Sequence, residues 1–150
     1  MTEDQANLPS RPWHLWLVGV LSILWSSIGC LDFTMVITRN ADYLEAAGFT
    51  AEQMDFFYSY PAWAYAIWAV AVWWAWFGGA LLLARKSLAV PVYLTGLITY
   101  VVAMTRQYGF TDFRALFPEA HYVIMSVVIF VLAVAQLYYA QKMRDKGVLS

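Results

Sequence analysis

The sequence predicts an all-α membrane protein, a four-transmembrane-helix antiparallel bundle with short interfacial helices in its outer loops. The 150-residue chain is 62% hydrophobic and only 13% charged, whereas charged residues make up about 25% of a soluble domain. A soluble domain of this length buries about 70% of its chain surface, which is too little to hide so much apolar area. The charges fall between four long apolar stretches. We therefore expect a single integral membrane domain over residues 1–150.

The first predicted span covers residues 13–37. Residues 12–31 carry no formal charge, and the apolar pattern continues past Asp32. About 20 apolar residues cross a hydrocarbon core of about 30 Å, so this stretch is long enough. It lacks a basic n-region and a small-residue cleavage site, so we do not expect it to be a cleaved signal peptide.

A short surface helix is expected before the second span. Thr50-Ala-Glu-Gln53 has the pattern of a capping box, which begins a helix, and Met54 and Phe57 would lie on the apolar side of that helix. Pro61 then precedes the second span, predicted over residues 62–83. Gly78 and Gly79 lie inside this span and indicate close helix packing.

The third and fourth spans are predicted over residues 87–105 and 121–141. A tight turn at residues 84–86 leads into the third span, and Pro91 lies near its first turn, where a missing N–H is tolerated. Between these two spans, aromatic residues recur at spacings of three and four and predict a second surface helix. They are Phe110, Phe113 and Phe117.

The basic residues predict the orientation. Six lie on the side of the two termini and three on the other side: Arg11, Arg85, Lys86, Lys142, Arg144 and Lys146, against Arg39, Arg106 and Arg114. Because the more basic side of a membrane protein faces the cytoplasm, both termini are expected there. The net charge is −1 with no dense basic block, which argues against nucleic-acid binding.

Asp32 is the one formal charge predicted inside a span. An ionised carboxylate costs about 2.5–3.5 kcal/mol at the centre of a membrane helix, so such a side chain should face the bundle and find a partner. Arg106, at the outer end of the third span, is the expected partner, and Arg39 is the alternative. The pair would be either a site that couples transport to protons or substrate, or a structural ion pair.

Two seams of small residues are predicted to let helices approach closely. They are Ser22, Ser26 and Gly29 in the first span and Ala71, Ala75 and Gly79 in the second. Helix packing is one interpretation. The other is that the hydroxyl groups of Ser22 and Ser26 line a solute path toward Asp32. The tryptophans near mid-span, among them Trp25, would either wall such a path or pack against lipid.

The two histidines lie at opposite faces of the predicted bundle. His14 begins the first span and His121 begins the fourth, so one chain cannot supply both as axial ligands of one haem. His121 is either a solvated residue or a pH-sensitive member of an outer polar cluster with Asp32, Arg106 and Arg114. We expect no bound cofactor.

An enzyme is not expected. The single cysteine, Cys30, excludes a disulfide scaffold and a Cys-x-x-Cys site within one chain. No nucleophile–base arrangement, metal-ligand spacing or phosphate-binding glycine loop is visible. We therefore assign neither catalytic residues nor a metal site.

Several short motifs resemble one family. They are Pro12-Trp-His-Leu-Trp16 with Gly19, Trp25, Gly29, Asp32, Met35 and Arg39, then Thr50-Ala-Glu-Gln53, Pro61-Ala-Trp63 and the tail Met143-Arg-x-x-Gly147-Val-Leu149. The chain resembles an uncharacterised family of short four-span bacterial inner-membrane proteins, whose members are sometimes labelled sugar transporters. The resemblance implies a bacterial inner (plasma) membrane location and transport of a sugar-like solute. It supplies no site residues.

Two functions are expected from these observations. The first is a small-solute (sugar-like) or proton-coupled transporter that uses Asp32, Arg106 and the serine seam and forms a homo-oligomer in the lipid bilayer. The second is a non-catalytic accessory or assembly subunit of a larger membrane complex, because tight hairpins and small-residue seams also suit such a subunit.

Overall fold

The structure is a computed structural model that describes residues 10–150, and within that range the chain forms helices and no strand. The helices are α1 (Trp13–Ile37), α2 (Ala41–Ala46), α3 (Ala51–Tyr58), α4 (Ala62–Leu83), α5 (Ala89–Gly109), α6 (Phe113–Leu116) and α7 (Ala120–Asp145). Helices α1, α4, α5 and α7 are long and apolar enough to cross a membrane. The predicted all-α class with four spans is confirmed, and residues 1–9 of the predicted domain lie outside the described residues.

The helices match the predicted spans at the start of the chain and exceed them later. Helices α1 and α4 have the predicted bounds, whereas α5 begins two residues later than predicted and continues to Gly109, and α7 begins one residue earlier and continues to Asp145. A charged residue ends an apolar stretch, but it does not end a helix, because backbone hydrogen bonding continues through polar residues. Pro91 lies in the first turn of α5, as predicted.

The four long helices pack in chain order: α1 against α4, α4 against α5, and α5 against α7. Gly29 and Gly79, one from each small-residue seam, lie in the first of these contacts. A Cβ atom built at Gly79 would lie 3.3 Å from the Cβ of Ser22, and one built at Gly29 would lie 3.5 Å from the side chain of Val72. Glycine at these positions therefore lets α1 and α4 approach closely, in agreement with the packing interpretation.

One end of the four long helices, here called the hairpin end, consists of the turn at residues 84–88 and the C-terminal residues 146–150. Gly147 has φ 68°, a conformation that glycine adopts without strain, and the chain then folds back on the turn. The Ser150 N–H donates to the Arg85 carbonyl at 2.8 Å, and the Ser87 N–H donates to the Ser150 carbonyl at 2.7 Å. Val148 and Leu149 are buried against α1, α4, α5 and α7, so the C-terminal segment closes this end.

The opposite end, here called the loop end, contains α2, α3 and α6. The predicted capping box is confirmed: the Gln53 N–H donates to Thr50 Oγ1 at 3.3 Å, and the Thr50 N–H donates to Gln53 Oε1 at 3.1 Å. The Gln53 side chain also donates to the Leu116 carbonyl at 2.9 Å. This buried amide therefore joins the two loops of the loop end.

The aromatic residues of the second loop differ in part from the prediction. Phe113 and Phe117 are buried, whereas Phe110 is 81% exposed. The reason is that α5 extends further than predicted, so that Phe110 is its C-cap residue rather than part of the next helix. Helix α6 is correspondingly short and begins at Phe113.

Candidate functional site

A cavity of about 520 Å³ lies among the four long helices and extends to the loop end. Helix α4 contributes small side chains to its wall, such as Ala71 and Ala75, and α7 contributes Ala133. The seam residues on α4 therefore serve two purposes, because they contact neighbouring helices and leave space beside them. A cavity of this size can hold a small organic molecule.

The loop end of the cavity is covered by five aromatic side chains, here called the aromatic cap: Phe49, Phe57, Tyr60, Phe113 and Phe117. The rings of Phe113 and Phe117 stack with centroids 4.4 Å apart, and Phe57 contacts Phe117 at 5.5 Å. Such contacts each add about 0.5–1.5 kcal/mol beyond burial. The cap is thus a packed lid contributed by both loops.

The cavity is open on the side between α1 and α7. These helices meet at the hairpin end, where His14 Nδ1 hydrogen-bonds to the hydroxyl of Tyr139. Nearer the loop end, cavity-lining residues on both helices are exposed, with Ile28 57% and Met125 50% accessible. Because both residues belong to candidate membrane spans, this opening faces the region that lipid occupies in a bilayer.

Asp32 lines the cavity near this opening, and its side chain is exposed. Its Oδ1 atom accepts a hydrogen bond of 2.7 Å from the hydroxyl of Tyr43 on α2. The hydrogen bond, followed by partial desolvation and the carboxylate charge, raises the pKa of the Tyr43 phenol. Within residues 10–150 no salt bridge joins Asp32 to Arg106 or Arg39, so the predicted ion pair is not formed in this structure. The short helix α2 instead brings a neutral hydroxyl to the carboxylate.

Arg106 lines the cavity on the α5 side and is half-buried. Its guanidinium carbon lies 4.3 Å from the centroid of the Tyr60 ring and 5.5 Å from that of Trp63. Burial raises the pKa of the Tyr60 phenol, and the positive charge of Arg106 opposes this rise. Aromatic faces thus take the place of the expected carboxylate, because the ring quadrupole attracts a cation.

The remaining predicted site residues lie outside the cavity lining. Arg39 is exposed, with its guanidinium carbon 5.2 Å from the centroid of the Tyr58 ring. Ser22 is buried in the contact between α1 and α4. His121 is exposed in the first turn of α7. The expected outer cluster is therefore not assembled, and the cavity brings together only Asp32, Arg106 and Ser26 from the predicted set.

Ser26 is a polar group that the cavity leaves without a partner. Its hydroxyl is buried and has no hydrogen-bond partner among residues 10–150. An unpaired buried hydroxyl costs about 1–3 kcal/mol, so a bound water or ligand that hydrogen-bonds to it would be stabilised. Trp25 lines the same wall and is 37% exposed.

Sequence reasoning missed a polar group on α5 and α7. The Tyr100 hydroxyl donates to the Ser126 carbonyl at 2.7 Å, and the Tyr108 hydroxyl lies 2.9 Å from Ser126 Oγ. Ser126 and Gln136 both line the cavity. The available signal was that these are uncharged polar residues within an otherwise apolar fourth span.

The described part of the chain contains no cluster of three or more His, Cys, Asp or Glu side chains that could hold a metal ion. Comparisons with protein-family models, curated proteins and solved structures give no match for this chain. The four helices long and apolar enough to cross a membrane indicate a multi-pass membrane protein.

Proposed function

We propose that the protein is a carrier for a small organic solute, built as an antiparallel bundle of α1, α4, α5 and α7. The observation that supports this proposal is the cavity among these helices, which is covered at the loop end and open at the side. A binding chamber among the spans suits a carrier, because the solute sites of transporters lie within the spans, near the bilayer midplane.

The placement in the membrane is part of the proposal. Arg85 and Lys86 in the hairpin turn and the basic residues after α7 would face the cytoplasm of a bacterial inner membrane, which places both termini inside. The loop end would face outward, with α2, α3 and α6 at the membrane surface. A homo-oligomer with one cavity in each copy remains part of the proposal.

The cavity wall restricts the chemistry of the solute. Most lining side chains are aliphatic or aromatic, and only a few polar groups, such as Ser26 and Gln136, are interspersed. A free sugar presents hydroxyl groups on every side, and each hydroxyl left unpaired costs about 1–3 kcal/mol. The wall therefore favours a solute with an apolar body over a free sugar.

Flux into proteoliposomes tests the proposal. The solutes would be a panel of labelled organic acids with alkyl chains of increasing length, together with labelled sugars and amino acids, measured with wild type, Ala133→Phe and Ala135→Phe. Ala133 lines the cavity, whereas its near neighbour Ala135 is exposed on α7 and does not. We expect flux of at least one solute that Ala133→Phe abolishes and Ala135→Phe preserves. Absence of flux across the panel, or equal flux in both variants, would refute the carrier.

Proton coupling is tested separately with a pH-sensitive dye trapped in the vesicles. Asp32→Asn removes the carboxylate at the cavity opening, and Asp42→Asn removes an exposed carboxylate on α2 that does not line the cavity. A coupling role predicts that solute-driven acidification disappears in the first variant and persists in the second. Loss in neither variant would assign Asp32 a structural role.

An accessory subunit of a larger complex is the second candidate, and one observation favours it. Helix α7 has an exposed apolar stripe at helical spacing that includes Ile124, Val127 and Val131, and it packs mainly against α5. The test is extraction in mild detergent followed by native mass measurement. A stoichiometric second protein would support the subunit, whereas a mass that is a multiple of this chain alone would support the homo-oligomeric carrier.

A further inference from the structure

The two formal charges that line the cavity are in different chemical situations. Asp32 is exposed and already accepts a hydrogen bond from Tyr43. Arg106 is half-buried and forms no salt bridge with any residue in the described range. A partner of opposite charge would therefore stabilise Arg106 more than it would stabilise Asp32.

The surroundings of Arg106 leave it able to bind an anion. A guanidinium stacked on an aromatic face keeps in-plane N–H groups that can form a bidentate contact with a carboxylate or a phosphate. The Tyr60 ring approaches it from the segment before α4, and the Trp63 ring approaches it from α4. Arg106 and Tyr60 are both half-buried, so a charge-assisted hydrogen bond formed there is stronger than in bulk solvent.

The rest of the cavity is mainly apolar, with a few polar groups such as Ser26 and Gln136, and continues away from Arg106 toward the hairpin end. Leu97 and Met104 on α5 and Ile129 and Leu132 on α7 line this part. The opening between α1 and α7 is lined by Ile28 and Met125. A hydrocarbon chain could enter from the bilayer through this opening without crossing water.

We infer that the cavity binds an amphipathic anion, with its carboxylate or phosphate on Arg106 beneath the aromatic cap and its hydrocarbon chain along α5 and α7. This inference rests on the proposed solute cavity and names the class of solute. The anionic group is defined by its chemistry, so a fatty acid and a singly phosphorylated alkyl chain are the two sources to compare.

Quenching of tryptophan fluorescence measures this binding directly. Trp25, Trp63 and Trp68 line the cavity, so a dibrominated fatty acid bound there would quench their emission at contact range. With purified wild-type protein in neutral detergent at alkaline pH, we expect saturable quenching. Hexadecanoate and hexadecyl phosphate should compete, and whichever competes at the lower concentration identifies the preferred anionic group.

The controls are two probes, each of which has only one of the two features, the hydrocarbon chain or the anionic group. Methyl hexadecanoate has the chain without the charge, and inorganic phosphate has the charge without the chain. Neither should displace the quencher at concentrations where hexadecanoate does. Equal competition by the methyl ester would overturn the inference, because it would mean that the cavity selects only hydrocarbon. Competition by inorganic phosphate alone would overturn the role of the chain.

Arg106→Gln removes the charge, and Arg114→Gln removes an exposed arginine of the loop end that does not line the cavity. A charge-assisted hydrogen bond contributes about 1.5–3 kcal/mol, so we expect Arg106→Gln to bind hexadecanoate roughly ten- to hundredfold more weakly. Arg106→Lys should recover part of the affinity and Arg114→Gln should bind like wild type. Unchanged binding in Arg106→Gln would refute the assignment.

If Arg106→Gln does not fold, the competition by hexadecanoate, its methyl ester and inorganic phosphate still tests the inference, because it uses only wild-type protein. It is also separable from the carrier proposal. Selective binding without flux would reject the carrier and keep the amphipathic anion as a ligand. Flux of another solute without selective binding would keep the carrier and reject this ligand.

Discussion

Replacing Gly78 by alanine tests the contact between α4 and α5 that forms one wall of the cavity. A Cβ atom at residue 78 would lie 2.6 Å from one carbon of the Tyr93 ring and 2.8 Å from two others. Carbon atoms in ordinary contact are about 3.5–4.0 Å apart. The Tyr93 ring is buried with 4% of its surface accessible, so it has little room to move away. The two helices must therefore separate, or the ring must leave its rotamer.

The expected loss of stability follows from this overlap. One methylene inserted into a packed core costs about 1–3 kcal/mol. Alanine is also a better helix former than glycine by about 1 kcal/mol, which offsets part of that cost. Gly109→Ala is the matched control, because it adds the same methyl group at a helical glycine with nothing within 4 Å. Gly78→Ala should therefore be about 1–3 kcal/mol less stable than Gly109→Ala.

The assay is unfolding by sodium dodecyl sulfate in mixed micelles, followed by circular dichroism and tryptophan fluorescence. The double variant Gly78→Ala, Tyr93→Leu should recover part of the stability that Gly78→Ala loses, because a leucine side chain lacks the ring atoms in the overlap. Equal stability of Gly78→Ala and Gly109→Ala would show that α4 and α5 do not pack through this contact.

Three further predictions concern the loop end and the hairpin end. Thr50→Ala removes a capping side chain, so stability in the same unfolding assay should fall by about 1 kcal/mol, and no change would mean that α3 does not need its cap. In Asp32→Asn the phenol of Tyr43 should ionise at lower pH, because its pKa is raised chiefly by the hydrogen bond to the carboxylate. The stabilisation by that hydrogen bond is complete below the ordinary tyrosine pKa of about 10 and is lost as pH rises through the higher folded pKa. Carbon-13 tyrosine NMR with a Tyr43→Phe assignment control measures this, and an unmoved titration would show that the hydrogen bond is absent in micelles. Leu149→Ala should lower the free energy of unfolding by about 2–5 kcal/mol, because Leu149 is 5% exposed. Leu88→Ala should lower it far less, because Leu88 is 58% exposed. Equal losses in the two variants would contradict docking of the C-terminal segment.

Local features of the chain could be predicted from the sequence alone. The four spans follow from hydropathy, because the free energies of transferring the side chains into hydrocarbon add along the chain. The sum does not depend on how the helices pack. The capping box at Thr50 could be predicted for the same reason, since both of its hydrogen bonds join residues three apart. Gly79 was identifiable as a packing residue because a small residue in a span has few other uses.

The partners of the charged residues were decided by the tertiary structure. Asp32 and Arg106 were expected to form an ion pair. In the structure Asp32 accepts a hydrogen bond from Tyr43, and Arg106 lies against two aromatic rings. Tyr43 lies on a six-residue helix whose position depends on how the loop end packs. Sequence spacing gives depth along a helix axis, but it does not give the rotation of one helix against another, on which each of these contacts depends.

The cavity likewise depends on how the helices pack and could not be predicted from the sequence. All four long helices are apolar over most of their surface, so hydropathy does not indicate which face points inward and which faces lipid. Only the packed arrangement shows that α7 lies mainly against α5 and leaves a space lined by Ser26, Ala133 and Arg106. The sequence by itself determined that this chain belongs in a membrane. The packing of its helices decided that a cavity lies between them, because a void is a property of neighbouring surfaces rather than of any single segment.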